Sequence, residues 1–261
     1  MMTLDVNICG LTWQSSNRLG SGCMSMVGVS EVFELRQYTL RAGQCDTLIA
    51  LFESTLMEPQ NAVGAHVAGT FRDLDDPDRF VWLRGFRDMR MRQEALGAFY
   101  GGPVWHANRA AANATMLDSD NVLLLRAVGP VPKFGSRSTA LGAESFIGAT
   151  IYYLGCADAT LFAGFFEQSV LPHLEAAGAE PIVRLVTEEA ANNFPRLPIR
   201  EHDRTFICLS RWANLSTENA FVARFSTLSG WRDSAPESVL PALMRKPERL
   251  RLMPTSRSAL R

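Results

Sequence analysis

Charged and polar side chains alternate with apolar ones along two predicted strands in the first half of the chain. Glu34, Arg36 and Tyr38 occupy every second position of one segment, and Trp82 and Arg84 do so in another. Side chains two residues apart in a strand lie on the same face. Arginine binds carboxylates through parallel hydrogen bonds, and its charge also stabilises the single oxyanion of an enolate. These residues therefore predict a site for a small ligand with an oxyanion.

The same region contains groups that can move a proton. A buried histidine such as His66 can act as a general base near neutral pH, and so can a carboxylate such as Glu34. We expect His66 or Glu34 to transfer a proton, with Arg36 or Arg84 stabilising the developing oxyanion and Tyr38 orienting the ligand. His66 is also the residue that would serve as an axial ligand to a haem iron.

Each of these residues also has a structural interpretation. Glu34 with Arg36 and Arg84 can be an ion-pair cluster that holds strands in register, because buried charges must pair. A lone strand histidine is often a hydrogen-bonded packing residue, and a tryptophan such as Trp82 needs no ligand in a core. The spacing alone leaves both interpretations open.

The elements that position these residues occur twice. Several first-half residues recur 114 positions later, and others recur 126 positions later, which places a 12-residue insertion in the second copy between Ala179 and Phe206. The pairs are Tyr38 and Tyr152, Phe52 and Phe166, Glu53 and Glu167, Gly64 and Gly178, Ala65 and Ala179, Phe80 and Phe206, Leu83 and Leu209, Phe99 and Phe225, and Trp105 and Trp231. A period this long indicates two tandem domains rather than a solenoid.

Hydrophobic periodicity predicts the order β-α-β-β-α-β in each copy, which is the ferredoxin-like arrangement of an α+β fold. The predicted strands are 32–39, 63–71, 79–86, 121–128, 149–154, 181–188, 204–211 and 249–253. The predicted helices are 43–59, 90–100, 105–112, 159–176 and 217–228. The insertion forms a proline-bearing loop that we expect to reach the other half's sheet or another subunit.

The resulting division of the chain has five parts. They are an N-terminal extension that is disordered or precedes the true start (1–29), domain 1 (30–128), a linker (129–146), domain 2 (147–254) and a C-terminal tail (255–261).

Four segments of the first half resemble the NIPSNAP family. They are 33–39 (FELRQYT), 80–86 (FVWLRGF), 99–105 (FYGGPVW) and 114–126 (ATMLDSDNVLLLR). The resemblance is close over 31–128 and looser over 147–254. It implies a dimeric α/β barrel, in which two antiparallel ferredoxin-like sheets pack face to face, here both supplied by one chain. Related barrels include cofactor-independent monooxygenases, haem-degrading oxygenases and isomerases, whereas the NIPSNAP family has no well-defined reaction, so the resemblance implies fold more than function.

This fold leads us to expect a pocket in the barrel interior. Apolar Phe33 and Leu35 are expected to face the helices, which directs the polar residues of the same strand inward. The expected pocket residues are Glu34, Arg36, Tyr38, His66, Thr70, Trp82, Arg84 and Arg126. The offsets place Gly148, Thr150, Tyr152, Cys208 and Ser210 opposite the first-half residues, so only Tyr152 is expected to add a similar ligand-binding group, in one asymmetric site.

Composition excludes several kinds of partner. A hydrophobic share of 47% and a charged share of 20% are ordinary for a globular protein. A net charge of −1 provides no basic field for nucleic acid or an anionic membrane, and no apolar run is long enough to span a bilayer. Basic residues crowd the C-terminus, where we expect a final strand and a solvated tail. The five cysteines lack a CxxC pair, which favours a reducing, cytoplasmic location and no structural metal.

Three functions remain in competition. The first is binding of a small aromatic or enolisable molecule, with oxygenase or isomerase chemistry that needs no metal or organic cofactor. The second is haem binding in the same cavity. The third is a non-catalytic interaction or adaptor protein, and homo-oligomers are compatible with all three.

Overall fold

The computed structural model describes residues 30–131, 142–228 and 230–261. The extension expected at 1–29 and most of the linker expected at 129–146 lie outside these ranges. The strands are β1 (Val32–Leu40), β2 (His66–Asp73), β3 (Arg79–Phe86), β4 (Met116–Ala127), β5 (Phe146–Tyr153), β6 (Glu180–Thr187), β7 (Thr205–Trp212) and β8 (Glu248–Pro254).

The helices pack outside these strands, and a π-helical turn interrupts the first helix of each half. In the first half they are α1 (Cys45–Leu51), a π turn (Phe52–Leu56), α2 (Met57–Ala62), α3 (Met89–Tyr100) and α4 (Pro103–Thr115). In the second half they are α5 (Ala159–Phe165), a π turn (Phe166–Val170), α6 (Leu171–Ala176), α7 (Leu215–Thr227), α8 (Gly230–Asp233), a 3-10 turn (Glu237–Val239) and α9 (Leu240–Met244). No helix within the described ranges has the length and apolar character needed to cross a membrane.

The strands form one closed antiparallel barrel in the order β1-β3-β2-β8-β5-β7-β6-β4, and β4 pairs back with β1. Strands of the first half are therefore contiguous, and so are those of the second. The halves join at two seams, where Phe71 of β2 pairs with Pro254 of β8 and Leu125 of β4 pairs with Thr187 of β6.

Both faces of the barrel wall are buried. One face forms the barrel interior, a cluster to which every strand contributes apolar residues, among them Leu35, Val81 and Ile207. The other face packs against helices in two separate clusters. We call these the first helix layer, between the first-half strands and α1 to α4, and the second helix layer, between the second-half strands and α5 to α9.

The predicted orientation of the first-half strands was wrong. Phe33 and Leu35 lie in the barrel interior, whereas Tyr38 and Trp82 lie in the first helix layer. The pairing register agrees. Glu34 pairs with Arg84, which lies two residues from Trp82 on the same strand and therefore on the same face. The interior of a barrel of this size is just wide enough to be filled by side chains, and here aliphatic residues fill it.

The C-terminal tail is packed rather than solvated. Glu53, in the first π turn, accepts hydrogen bonds from the hydroxyls of Thr255 and Ser256, both at 2.5 Å. The backbone N–H of Leu260 donates to the carbonyl of Ala68 at 2.7 Å, and the Leu260 side chain lies in the barrel interior. The tail thereby connects the end of the second half to the first.

The inserted loop between β6 and β7 reaches the first half, one of the two destinations that its length and prolines predict. Phe194, Leu197 and Ile199 pack against the first helix layer. The amide of Asn193 donates to the carbonyl of Met89 at 2.5 Å, at the start of α3. A second-half segment thus covers the first helix layer.

Candidate functional site

Glu34 is the centre of a buried cluster of arginines in the first helix layer. Its side chain is fully buried, as are those of Arg84 and Arg92, and Arg36 is 2% exposed. Oε2 of Glu34 accepts hydrogen bonds from Nη1 of Arg36 at 2.7 Å and from Nη2 and Nε of Arg84 at 2.7 and 2.9 Å. Oε1 accepts from Nε of Arg92 at 2.7 Å.

Neutral polar groups hold the remaining arms of two guanidinium groups. Arg36 Nε donates to the Tyr38 hydroxyl at 2.9 Å. Arg84 Nη1 donates to Oε1 of Gln60 at 3.0 Å and, more weakly, to the Tyr100 hydroxyl at 3.5 Å. The cluster is therefore fixed by β1, β3, α2 and α3 together.

Trp82 lies beside two arginines of the cluster and packs against their charged ends. Its ring centre lies 5.6 Å from Cζ of Arg36 and 5.0 Å from Cζ of Arg84. Phe52 meets the same ring edge-on, with centroids 4.8 Å apart. Cations over an aromatic face gain electrostatic stabilisation, and more so when desolvated.

Arg92 enters the cluster from α3. Asp88 caps this helix by accepting a hydrogen bond from the backbone N–H of Met91 at 2.8 Å. Helical spacing then places Arg92 on the buried face. Its Nη1 donates outward to the side-chain oxygens of Asn192 and Asn193, at 3.1 and 2.6 Å, in the loop between β6 and β7.

The cluster contains more positive than negative charge. In the described part of the chain, three guanidinium groups share Glu34 as their one carboxylate partner. Burial raises the pKa of Glu34, but the charges of Arg84, Arg36 and Arg92 outweigh this and hold it well below its usual range. Burial lowers the pKa of Arg92, Glu34 opposes this, and the charges of Arg84 and Arg36 add to the lowering. At Arg92, burial and the charges of Arg84 and Arg36 together outweigh the attraction of Glu34.

Two donors of the cluster have no hydrogen-bond partner among the described residues. They are Nη2 of Arg92 and Nε1 of Trp82, both buried. A buried donor without a partner costs about 1–3 kcal/mol, so each such group requires an explanation. Nη2 belongs to a guanidinium group and Nε1 to the ring that packs against two others, so a negatively charged acceptor at either donor would be stabilised.

The structure separates the remaining predicted site residues from this cluster. His66 is partly exposed and pairs with Gly85, on the interior-facing side of the sheet. The register then shifts between Val67 and Gly69, so Thr70 pairs with Trp82 on the opposite face. His66 and Thr70 therefore do not share a face as predicted, and a haem bound through His66 would not contact the arginines. Arg126, expected in the same pocket, is exposed.

Tyr152 lies in the second helix layer with Phe162, Phe166 and Phe206. The prediction of one asymmetric site was therefore wrong in its geometry, because the closed barrel lies between the two helix layers. Tyr152 and Tyr38 occupy equivalent positions in different layers, since Tyr152 pairs with Phe206 as Tyr38 pairs with Phe80.

Sequence reasoning missed five residues that complete the cluster. They are Gln60, Arg92, Tyr100, Asn192 and Asn193. The signal for Arg92 was present in its spacing from Leu96 and Phe99, four and seven residues later, which puts it on the apolar stripe of α3. No such pattern identifies Asn192 and Asn193, because they lie in an irregular loop.

A closed antiparallel barrel with helices on its outer face and a buried cationic cluster defines a protein of the α/β-barrel class. Residues 33–129, in the first half of the chain, match the family model for NIPSNAP. No curated protein sequence matches the chain.

Solved structures with the same fold superpose on most of the chain. A candidate monooxygenase from Lactobacillus acidophilus NCFM is 11% identical, covers 87% of this chain and 94% of its own, and superposes with a TM-score of 0.53. A candidate monooxygenase from Fusobacterium nucleatum subsp. nucleatum is 10% identical, with coverages of 88% and 94% and a TM-score of 0.54. An anthrone oxidase-like protein is 11% identical, with coverages of 87% and 92% and a TM-score of 0.52. At these identities the similarity concerns the fold.

Proposed function

We propose that the arginine cluster of the first helix layer binds the anion of a small enolisable or phenolic molecule. The excess of three guanidinium groups over one carboxylate carries this proposal. A purely structural ion-pair cluster would be expected to balance its charges, because uncompensated buried charge is destabilising. An oxyanion would accept from Arg92 Nη2 and Trp82 Nε1 and would reduce the repulsion among the arginines.

The residues then have defined roles. Arg92 Nη2 and Trp82 Nε1 donate hydrogen bonds to the oxyanion, and Arg84 and Arg36 stabilise it through their positive charge. Glu34 holds the guanidinium groups in place and is a weak base because of its depressed pKa. The positive field favours the ionised ligand, which loses its proton to water before it enters the buried cluster, and so the mechanism needs neither His66 nor Glu34 as a proton acceptor.

The reaction we propose is oxidation of the bound anion by O2 without a metal or organic cofactor. Support comes from the candidate monooxygenases and the anthrone oxidase-like protein that share the fold. For anthrone, the ring CH2 is oxidised to C=O while O2 is reduced, so that anthrone and O2 give anthraquinone and water. Ionisation of anthrone produces the electron-rich anion that reacts with O2, and arginines stabilise that anion.

We also propose that the two halves are tandem ferredoxin-like units whose sheets face each other across the barrel. The equal pairing registers of β1 with β3 and of β5 with β7 support this, as do the π turns at Phe52–Leu56 and Phe166–Val170. The domain bounds and a cytoplasmic location stay predictions.

Binding of 4-nitrophenol tests the anion site directly, because its ionised form absorbs visible light. At a pH just below its own pKa, we expect the protein to increase the absorbance of the nitrophenolate form in a saturable manner. Arg92→Gln should weaken this binding roughly tenfold or more, since one charged hydrogen bond contributes about 1.5–3 kcal/mol. Arg90→Gln is the matched control, because Arg90 is exposed on the same helix and pairs with Glu94.

Activity is measured as O2 uptake and anthraquinone formation from anthrone. We expect the wild-type protein and Arg90→Gln to accelerate both equally, and Arg92→Gln and Arg84→Lys to lose most of the acceleration while retaining the native circular dichroism spectrum. Equal nitrophenolate binding by wild type and Arg92→Gln would refute the anion site. Binding without turnover would refute the oxidase reaction alone.

A further inference from the structure

A cavity lies in the second helix layer, between β5, β7 and β8 and helix α7. About 540 Å³ of empty space lies between its lining residues, open solvent at its mouth included, and about 40 Å³ of this admits the centre of a water molecule. Aromatic rings of Tyr152, Trp212, Phe221 and Phe225 line it. The enclosed part cannot hold a polycyclic molecule, and a single ring would reach into the open mouth.

The cavity exists because this layer has small residues where the first layer has large ones. Gly148 pairs with Ser210 in the second half as Glu34 pairs with Arg84 in the first. One row further, Thr150 pairs with Cys208 where Arg36 pairs with Trp82. All four of these second-half residues line the cavity.

Gly148 is needed for the shape of the cavity. A Cβ atom at this position would lie 2.4 Å from Nε1 of Trp212, which is closer than real Cβ contacts allow. The glycine thus lets the indole ring lie directly against β5. The second layer therefore has an aromatic wall beside an empty space at the positions where the first layer has a buried ion cluster.

The polar lining is predominantly uncharged. Burial raises the pKa of Tyr152 and raises that of Cys208 to about 11, so both groups are neutral at physiological pH. The charged lining groups are Glu218, whose Oε2 lies 2.9 Å from Nε of Arg251, and the exposed Arg249. Because one acidic and one basic side chain line the cavity, neither an anionic nor a cationic ligand is favoured.

We infer that this cavity is a second binding site, for a small uncharged molecule with one aromatic ring and one hydroxyl group. The ring packs among Tyr152, Trp212 and Phe221, and the hydroxyl meets the polar side formed by Thr150, Ser210 and Glu218. No hydrogen bond joins the Thr150 or Tyr152 hydroxyl to another described residue, so both are free to contact a ligand. The inference does not depend on the proposed function of the first layer, because the closed barrel separates the two sites.

Phenol tests this site, because at neutral pH it is uncharged and matches the ligand class. Saturation-transfer NMR and the thermal midpoint should both show saturable binding to the full chain. Ser210→Leu fills the cavity and should abolish binding, and Thr150→Val, which removes a hydroxyl at nearly constant volume, should weaken it several-fold. Ser216→Leu, at an exposed position of α7, should bind phenol as the wild type does.

Arg92→Gln separates the two sites, since it should weaken nitrophenolate binding and leave phenol binding unchanged. If Ser210→Leu does not fold, the Thr150→Val result decides. Failure of phenol to bind the wild-type protein, or equal binding by wild type, Ser210→Leu and Thr150→Val, overturns the inference.

Discussion

At the scale of single residues, size and charge at equivalent positions decide what each helix layer contains. Glu34, Arg36 and Arg84 fill the first layer with charge. Gly148 and Ser210, at two of the same register positions, leave the second layer partly empty. The shared backbone pairing thus supports two helix layers of different chemical character.

The buried thiol of Cys208 allows a test of the second layer by pH. Burial raises its pKa from the ordinary value of 9.0 to about 11. A raised folded-state pKa contributes stability that is present below the unfolded value and is lost as the pH rises through the folded value. The affected pH window therefore lies between these two pKa values. As the pH rises through it, we expect the free energy of unfolding to fall by roughly 2 kcal/mol more in wild type than in Cys208→Ala.

Urea unfolding at pH values on either side of the window measures this difference. Cys156→Ala is the control, because the Cys156 side chain is exposed, and its pH dependence should equal that of wild type. The same slope in wild type and Cys208→Ala would show that Cys208 is not shielded from solvent.

At the scale of elements, alternation along the strands predicted which residues share a face but not where that face points. Glu34, Arg36, Tyr38, Trp82 and Arg84 were correctly grouped. Their direction was misassigned because both sides of the barrel wall are buried, so polarity does not distinguish them. The usual rule that one sheet face meets water does not apply to a wall covered on both sides.

Irregular elements were the least predictable. The register shift after Val67 places His66 and Thr70 on opposite faces, since one extra residue reverses the alternation. The contacts of Asn192 and Asn193 with Arg92 span about 100 residues. Such contacts follow from the closed barrel, which no local pattern encodes.

The loop between β6 and β7 is expected to cover the arginine cluster as a lid. Asn192 and Asn193 attach it to Arg92, and Asn193 also binds the Met89 carbonyl. Replacing both asparagines by alanine should raise amide hydrogen exchange in 189–199 at least several-fold, because local opening then breaks fewer contacts. Asn219→Ala, on the exposed face of α7, is the control, and unchanged exchange in the double variant would contradict a lid held by these contacts.

At the scale of the whole molecule, closure of the barrel makes the two halves depend on each other. The interior cluster takes residues from all the strands named above, and the seams at β2–β8 and β4–β6 complete the ring. The tail adds Leu260 to the interior next to Ala68 of the first half. Neither half can open without exposing the apolar interior of the other.

This dependence predicts one cooperative unfolding transition. Ile151→Ala in β5 removes a fully buried interior side chain and should lower the free energy of unfolding by about 2–5 kcal/mol. Because the interior is shared, native-state hydrogen exchange should report the same loss for amides of β3 in the first half as for β7 in the second. Leu161→Ala, which is 53% exposed on α5, should have little effect on either strand. If Ile151→Ala accelerates exchange in β7 and leaves β3 unchanged, the halves unfold independently and the closed barrel does not couple them.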